Sequence, residues 1–180
     1  MEFFQIILLS IIQGLTEFLP ISSSGHLILA PIIFNFDDQG LALDAILHLG
    51  TLLAIIIFFR KELIDLTKAL FDRQESPKTH HLAWCIILAS FPAGLIGLFG
   101  GEWIEVNLRS PTFVGYNLFF WSLIFLIADQ YGSKISRTDT ELNHLSLRQV
   151  LFIGCAQAIA LLPGTSRSGI TIAEGLFSTL

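Results

Sequence analysis

The chain has 180 residues, of which 53% are apolar and only 14% are charged, with a formal net charge of -5. A soluble domain usually carries about 25% charged residues, because polar side chains must cover its surface. The composition excludes a soluble enzyme, a nucleic-acid-binding protein and a disordered chain. It predicts a single-domain, all-α polytopic membrane protein whose surroundings are the lipid bilayer. Both cysteines, Cys85 and Cys155, lie in apolar runs, which indicates buried small residues.

The first apolar segment, residues 1–34, is interrupted. Residues 3–15 are too few to cross a hydrocarbon core of about 30 Å. They run into Glu17, Pro20 and three consecutive serines before apolar residues resume at Leu27. This pattern predicts two half-helices joined by polar irregular backbone in a re-entrant segment. Such backbone is tolerated at membrane depth only where protein or a wet cavity shields it.

Three long apolar runs follow, each sufficient for a transmembrane helix. They cover residues 41–59, 82–101 and 110–129. Basic residues are concentrated in the intervening segments 60–79 and 132–148, whereas 102–109 holds only Arg109, beside two glutamates. By the positive-inside rule, the two basic segments are cytoplasmic and 102–109 lies outside.

The last segment, residues 149–180, is interrupted in the same way as the first. Its apolar run gives way to residues 163–169 (Pro-Gly-Thr-Ser-Arg-Ser-Gly) and resumes at Ile170. Aligning Gln13 with Gln157 also aligns 22–25 (Ser-Ser-Ser-Gly) with 166–169 (Ser-Arg-Ser-Gly). So short a match could arise by chance, but the charge count supports it, because the two broken segments enter the membrane from opposite sides. We expect an inverted repeat, incomplete in its second half, whose polar tips meet near the bilayer centre.

Ionisable side chains are rare within lipid and are functional candidates by default. Glu17, His26 and Arg167 all fall at the two breaks. Glycines there let backbone approach a ligand, N–H groups at helix starts cradle an anion, and arginine binds phosphate through a planar fork. The predicted phosphate-binding residues are the neighbouring hydroxyls and glycines: Ser22, Ser24, Gly25, Gly164, Thr165, Ser166, Ser168, Gly169 and Thr171.

The remaining polar groups at the first break suggest phosphoryl chemistry. Glu17 is suited to a divalent cation, and Gln13 lies one helical turn before it on the same face. Ser23 and His26 are three residues apart, which suits a nucleophile and its proton partner.

Each of these residues also has a structural interpretation. Glu17 could cap the resumed helix, the serines could act only as N-caps, His26 could be interfacial, and Arg167 could extend to the surface. Asp44 and His48, one turn apart on the first spanning helix, either line the cavity or form a structural pair.

At these residues the sequence resembles the undecaprenyl-diphosphatase family, the bacitracin-resistance membrane proteins. The matching stretches are 13–26 (Gln-Gly-Leu-Thr-Glu-Phe-Leu-Pro-Ile-Ser-Ser-Ser-Gly-His), 48–54, 59–62 and 162–169. The resemblance implies a bacterial inner-membrane enzyme that hydrolyses undecaprenyl diphosphate, a polyprenyl diphosphate lipid, to undecaprenyl phosphate and inorganic phosphate. This reaction recycles the lipid carrier of cell-wall precursors.

The resemblance also assigns roles to the site residues and a side to the site. It implies Mg²⁺ or Ca²⁺ as cofactor, held by Gln13 and Glu17, with the active site toward the periplasmic face. It makes Ser23 the nucleophile, His26 an essential histidine and Arg167 the phosphate-binding arginine. Attack by water, with His26 as base and Ser23 only orienting, fits the sequence equally well.

Two departures from the family pattern are visible. Gln13 stands where the family often has Glu, and the lost charge weakens the expected cation site. The family's members are longer, which implies a C-terminal truncation and leaves an inactive fragment as one alternative.

Other functions and the assembly state also stay open. One alternative is a polyprenyl-phosphate flippase without hydrolysis. A phosphatidate-phosphatase-type enzyme needs a Lys-rich motif and a further His that the sequence does not show. The sequence leaves a homodimer open.

Overall fold

The computed structural model describes residues 2–72, 77–132, 145–166 and 169–170. Over these residues the chain forms helices and turns and contains no strand, so the all-α prediction is confirmed. The helices are α1 (Phe3–Thr16), α2 (Ser23–Phe34), α3 (Gly40–Phe58), α4 (Arg60–Phe71), α5 (Pro77–Leu108), α6 (Pro111–Gly132) and α7 (Leu147–Ile159).

Two of these helices, α3 and α5, are long and apolar enough to cross a membrane. Most large apolar side chains on both helices are exposed, including Ile57 and Phe99. A monomeric soluble protein rarely exposes so large an apolar surface, because its contact with water is unfavourable. The length and apolar composition of α3 and α5, and the exposure of their apolar side chains, are therefore those of a membrane protein. The predicted spans 41–59, 82–101 and 110–129 overlap α3, α5 and α6.

Helix α4 occupies a segment that hydropathy and charge counting treated only as a connection between spans. Its sequence mixes charged residues such as Arg60, Lys61 and Glu62 with apolar ones, and its buried residue is Ala69. The helix packs on α5, and the Nδ1 atom of His80 in α5 lies 2.6 Å from the Ala69 carbonyl oxygen. The basic residues of α4 thus lie at the end of α3 opposite to Asp44.

The expectation for the two cysteines is half right. Cys85 is buried between α5 and α7, whereas Cys155 is exposed on α7. The helices that carry them are apolar on more than one side, so hydropathy does not distinguish a helix-facing position from an outward-facing one.

The first broken segment is held by packing among α1, α2 and α3. Leu9, Leu27, Ala30 and Leu47 form a buried apolar cluster that joins the three helices. Helix α1 ends at Thr16, and the chain then reverses so that α2 begins beside the end of α1. The two half-helices therefore bring their polar ends to one place.

The aligned serines of the two broken segments have the same local structure. Ser22 Oγ accepts a hydrogen bond from Gly25 N at 3.4 Å, and Ser166 Oγ accepts one from Gly169 N at 3.2 Å. In each case the N–H of the residue after the glycine donates to the serine carbonyl oxygen, at 3.3 and 2.9 Å. The alignment of the two segments thus extends to the hydrogen bonds that start their second halves.

Candidate active site

A cavity of about 400 Å³ lies between the two breaks. The first break contributes Thr16, Glu17, Leu19, Ser22, Ser23 and Ser24, the second contributes Gln157, Ala160, Leu161, Thr165 and Ser166, and α3 contributes His48. The polar tips of the two interrupted segments therefore meet, although they are far apart in sequence.

The Glu17 carboxylate is the centre of the cavity's hydrogen bonds. Its Oε2 atom accepts from Ser23 Oγ at 2.5 Å and from Gln13 Nε2 at 3.0 Å. The Nε2 atom of His48 lies 3.7 Å from the same oxygen. Gln13 and Glu17 share a face because they are one turn apart, and Ser23 joins them because α2 starts beside the end of α1. A hydroxyl that donates to a carboxylate has the arrangement of a nucleophile with its base.

Gln13 is buried, with 1% of its surface exposed. Its Nε2 atom also donates to Thr51 Oγ1 at 3.4 Å, but its Oε1 atom has no hydrogen-bond partner among the described residues. A buried carbonyl oxygen without a partner costs about 1–3 kcal/mol, so this atom is suited to a ligand that supplies positive charge. The Gln13 atom that contacts the Glu17 carboxylate is Nε2, so Oε1 would join a hard divalent cation at Glu17 only after the amide turns over. Among the described residues no cluster of three His, Cys, Asp or Glu side chains forms a complete metal site, so phosphate and water would supply further ligands.

The two histidines near the first break are placed differently. His26 Nδ1 lies 2.8 Å from the Ser22 carbonyl oxygen, and His26 is not among the residues that line the cavity. His48 Nδ1 lies 2.8 Å from the Asp44 carbonyl oxygen, while its Nε2 atom faces Glu17. Because a carbonyl oxygen can only accept, Nδ1 of His48 carries a hydrogen, and Nε2 is the ring nitrogen that faces the cavity.

The second break is held by Asn117 of α6. Its Nδ2 atom donates to the Pro163 carbonyl oxygen at 2.8 Å and to Thr165 Oγ1 at 2.7 Å. Two hydrogen bonds from one amide fix the turn so that Thr165 and Ser166 reach the cavity. In the sequence, Asn117 is only a single polar residue within an apolar run, so no pattern marks it as part of the site.

The two breaks also touch directly through glycine backbone. A Cβ atom on Gly25 would lie 3.2 Å from the Gly164 Cα atom. Gly164 has φ +89°, and a Cβ atom on it would lie 2.9 Å from the Val114 carbonyl oxygen. The close approach therefore requires glycine at position 164 for both conformation and space.

Replacing Gly164 by Ala is expected to lower the thermal unfolding midpoint and to displace the second break. The left-handed backbone alone costs a non-glycine residue about 1–2 kcal/mol, and the contact with the Val114 carbonyl adds to this. Gly101→Ala is the matched control, because nothing lies within 4 Å of a Cβ atom there. Equal midpoints for Gly164→Ala and the wild-type chain would contradict this turn.

The structure brings most of the predicted site residues to one place. Ser22, Ser24, Thr165 and Ser166 line the cavity, Gly25 and Gly164 form the backbone contact, and Gly169 N donates to Ser166. Three predicted residues, Arg167, Ser168 and Thr171, lie outside the described residues. His48, for which the sequence left a cavity-lining role and a structural pair equally open, lines the cavity. Gln157, which aligns with Gln13 but was not predicted as a site residue, lines it too.

A second cavity, of about 590 Å³, adjoins the first and shares Ser24, His48 and Leu161 with it. On its other side lies an ion pair between helices. Arg109 Nη2 donates to Asp44 Oδ2 at 2.8 Å and to Asp38 Oδ1 at 3.2 Å. The pair ties the start of α3 to the connection between α5 and α6.

Comparison with known proteins gives consistent matches. Residues 6–180 match the family described as bacitracin resistance protein BacA. The chain is 45% identical to Undecaprenyl-diphosphatase 2 of Stutzerimonas stutzeri, over 98% of this chain and 66% of the relative. It is 46% identical to Undecaprenyl-diphosphatase of Nitrosococcus oceani and 46% identical to that of Saccharophagus degradans, with the same coverage. The chain thus spans about 66% of the length of these curated relatives.

Proposed function

The chain belongs to the bacitracin resistance protein BacA family, and from that premise we propose that it hydrolyses undecaprenyl diphosphate to undecaprenyl phosphate and inorganic phosphate. The observation that carries this proposal is the hydrogen bond of 2.5 Å from Ser23 Oγ to Glu17 Oε2, on a cavity that both breaks line. The names of the relatives support the same reaction. In a cell it would recycle the lipid carrier of cell-wall precursors and confer bacitracin resistance.

The site would hold the diphosphate by backbone and side-chain donors. The backbone N–H groups of Ser23 and Ser24, at the start of α2, have no acceptor within the helix. They would therefore be available to an anion in the cavity. The hydroxyls of Ser22, Thr165 and Ser166 add further donors around the cavity. We assign the guanidinium of Arg167, next in sequence to Ser166, to the same phosphates, because its fork binds two oxygens at once.

Chemistry would begin at Ser23. Its Oγ atom attacks the terminal phosphorus while its proton passes to Glu17 Oε2, and the bond from that phosphorus to the bridging oxygen breaks. Undecaprenyl phosphate leaves, and water then attacks the phosphoserine. That second step releases inorganic phosphate and restores the serine. We retain His26 as a residue that acts on protons or on the shape of the Ser22 turn, whose carbonyl it contacts.

The residues also fit the divalent cation, Mg²⁺ or Ca²⁺, that the family resemblance implies. Gln13 and Glu17 would hold it, Glu17 through its carboxylate and Gln13 through Oε1 once its amide is turned so that this atom, and not Nε2, faces Glu17. When bound, such an ion neutralises charge on the phosphate oxygens.

We place the site toward the outside of the bacterial inner membrane. The basic residues Arg60, Lys61 and Lys68 lie at one end of α3, and Arg109 is paired with Asp44 near the other end. The positive-inside rule puts the α4 end in the cytoplasm, so the Arg109 end, with the second cavity, faces the periplasm. The apolar part of that cavity would accept the first units of the polyprenyl chain.

A second candidate function is a flippase for polyprenyl phosphates without hydrolysis. Two broken helical segments that meet around one cavity favour it, because transporters bind substrates between such segments. A flippase has no use for a serine donating to a carboxylate, so hydrolysis remains the better supported proposal.

Phosphate release separates the two functions. The purified chain, incubated with undecaprenyl diphosphate and Mg²⁺, is expected to release inorganic phosphate. Ser23→Ala is expected to lower the rate at least about 1,000-fold, because the nucleophile is lost. Ser10→Ala, on an exposed position of α1, is the matched control and should keep the wild-type rate. Movement of the lipid across liposomes without phosphate release would instead favour the flippase.

A further inference from the structure

The two cavities of the structure meet at a junction of three residues. The first cavity, of about 400 Å³, carries the polar groups of both breaks. The second, of about 590 Å³, has apolar residues such as Ile28 and Leu41 in its wall. Ser24, His48 and Leu161 line both cavities. A ligand that occupies both cavities must therefore pass these three residues.

The chemistry of the proposed substrate assigns each of its parts to a place, and this step rests on the proposed function. The terminal phosphorus belongs in the first cavity, because Ser23 must reach it there. The polyprenyl chain belongs in the second cavity, because an apolar chain gains free energy from apolar surroundings. The lipid-side phosphate connects the two, so it lies at the junction.

His48 carries the available polar group at this junction. Its Nδ1 atom lies 2.8 Å from the Asp44 carbonyl oxygen, which orients the ring. Its Nε2 atom is 3.7 Å from Glu17 Oε2 and has no hydrogen-bond partner among the described residues. The other two junction residues are a leucine and Ser24, whose Oγ atom lies 3.4 Å from a neighbouring serine hydroxyl. One ring nitrogen thus fixes the imidazole, and the other remains available to a ligand.

We propose that His48 binds the lipid-side phosphate of the substrate through Nε2–H, and so holds the leaving group at the junction of the two cavities. Because Nδ1 already carries a hydrogen toward the Asp44 carbonyl, Nε2 donates in the charged form of the ring, in which both nitrogens are donors. A hydrogen bond from an imidazolium to a phosphate oxygen joins opposite charges and is stronger than one between neutral groups.

Binding of farnesyl methylenediphosphonate to the full chain in detergent with Mg²⁺ tests this assignment without any reaction. In this analogue a CH₂ group replaces the bridging oxygen, so it releases no phosphate. Titration calorimetry gives its Kd. His48→Leu should raise that Kd at least about 10-fold, because a charge-assisted hydrogen bond is lost. His48→Gln keeps a side-chain N–H donor, so its Kd should lie between those of the wild-type chain and His48→Leu.

Inorganic phosphate separates loss of this contact from damage to the first cavity. It has no lipid-side phosphate, so its Kd should be the same for the wild-type chain and His48→Leu. The matched control is His81→Leu on α5, at a position that lines neither cavity. It should keep the wild-type Kd for both ligands.

An analogue Kd that is unchanged in His48→Leu overturns the assignment, as does a phosphate Kd that rises as much as that of the analogue. Binding by His48→Gln that is no tighter than binding by His48→Leu overturns it too. A wild-type chain that binds phosphate but not the analogue overturns the proposed substrate as well. Because phosphate release is not measured, a chain that binds as expected but does not hydrolyse contradicts only the proposed reaction.

Discussion

Glu17→Gln is expected to lower phosphate release by at least about 100-fold, the lower bound for losing a positioned general base. The amide keeps the shape of the carboxylate and can still accept a hydrogen bond from Ser23 Oγ. It cannot take the serine proton, and it removes the negative charge next to Gln13. The measurement is kcat for the purified chain with undecaprenyl diphosphate.

The control for this change is Glu62→Gln on α4, an exposed carboxylate outside the cavity. It changes the net charge of the chain by the same amount and should leave kcat at the wild-type value. A folded Glu17→Gln protein with a wild-type kcat would exclude Glu17 as the base for Ser23.

Arg109→Gln is expected to destabilise the fold by about 3–5 kcal/mol, the cost of leaving the buried Asp44 carboxylate without its ion-pair partner. Asp44→Asn is expected to cost less, because Arg109 keeps its contact with Asp38 at 3.2 Å. The Asp44 and Arg109 side chains are 10% and 16% exposed, and their contact is 2.8 Å. Burial alone would lower the pKa of the Arg109 guanidinium, but attraction by Asp44 and Asp38 outweighs it and raises that pKa. Arg109 therefore stays charged at any ordinary pH, and its loss removes a permanent charge.

A double-mutant cycle isolates the contact. The unfolding free energy of the double variant Asp44→Asn with Arg109→Gln should be higher than the two single losses predict, because no buried charge is then left unpaired. Lys61→Ala on exposed α4 is the control and should unfold as the wild-type chain does. If the losses of unfolding free energy in the two single variants add up to that of the double variant, the pair does not hold α3 to the α5–α6 connection.

Much of the architecture follows from hydropathy and from the proline and serine residues that interrupt the apolar runs. Residues 45–59 carry no charge, and this run extends back to Leu41 with Asp44 as its single charged residue. That is sufficient to predict α3, since a long apolar run with so little charge has few alternatives to a membrane helix. The break at Ser22 follows from Pro20 and the serines, which interrupt one apolar run and cap the next helix. The match of Ser22 with Ser166 was visible as a short alignment, and the structure shows that it corresponds to the same pair of hydrogen bonds.

The remaining parts of the site depend on contacts between helices, which no local pattern encodes. His48 and Asn117 are single polar residues in apolar helices, and only the packing of α3 and α6 against the breaks shows what they touch. His26 has the spacing of a proton partner for Ser23, yet its ring nitrogen contacts the Ser22 carbonyl. The α4 segment mixes apolar and charged residues, so hydropathy predicts only a connection between spans, whereas the structure shows a helix packed on α5.

The most direct test of the central claim is a single-turnover reaction with undecaprenyl diphosphate labelled in its terminal phosphate. If Ser23 attacks that phosphorus with Glu17 as its base, label appears first on Ser23 and then as inorganic phosphate. Ser23→Ala should show neither. Release of labelled phosphate at the wild-type rate by Ser23→Ala, or by wild-type chain that never carries label on Ser23, would contradict the account.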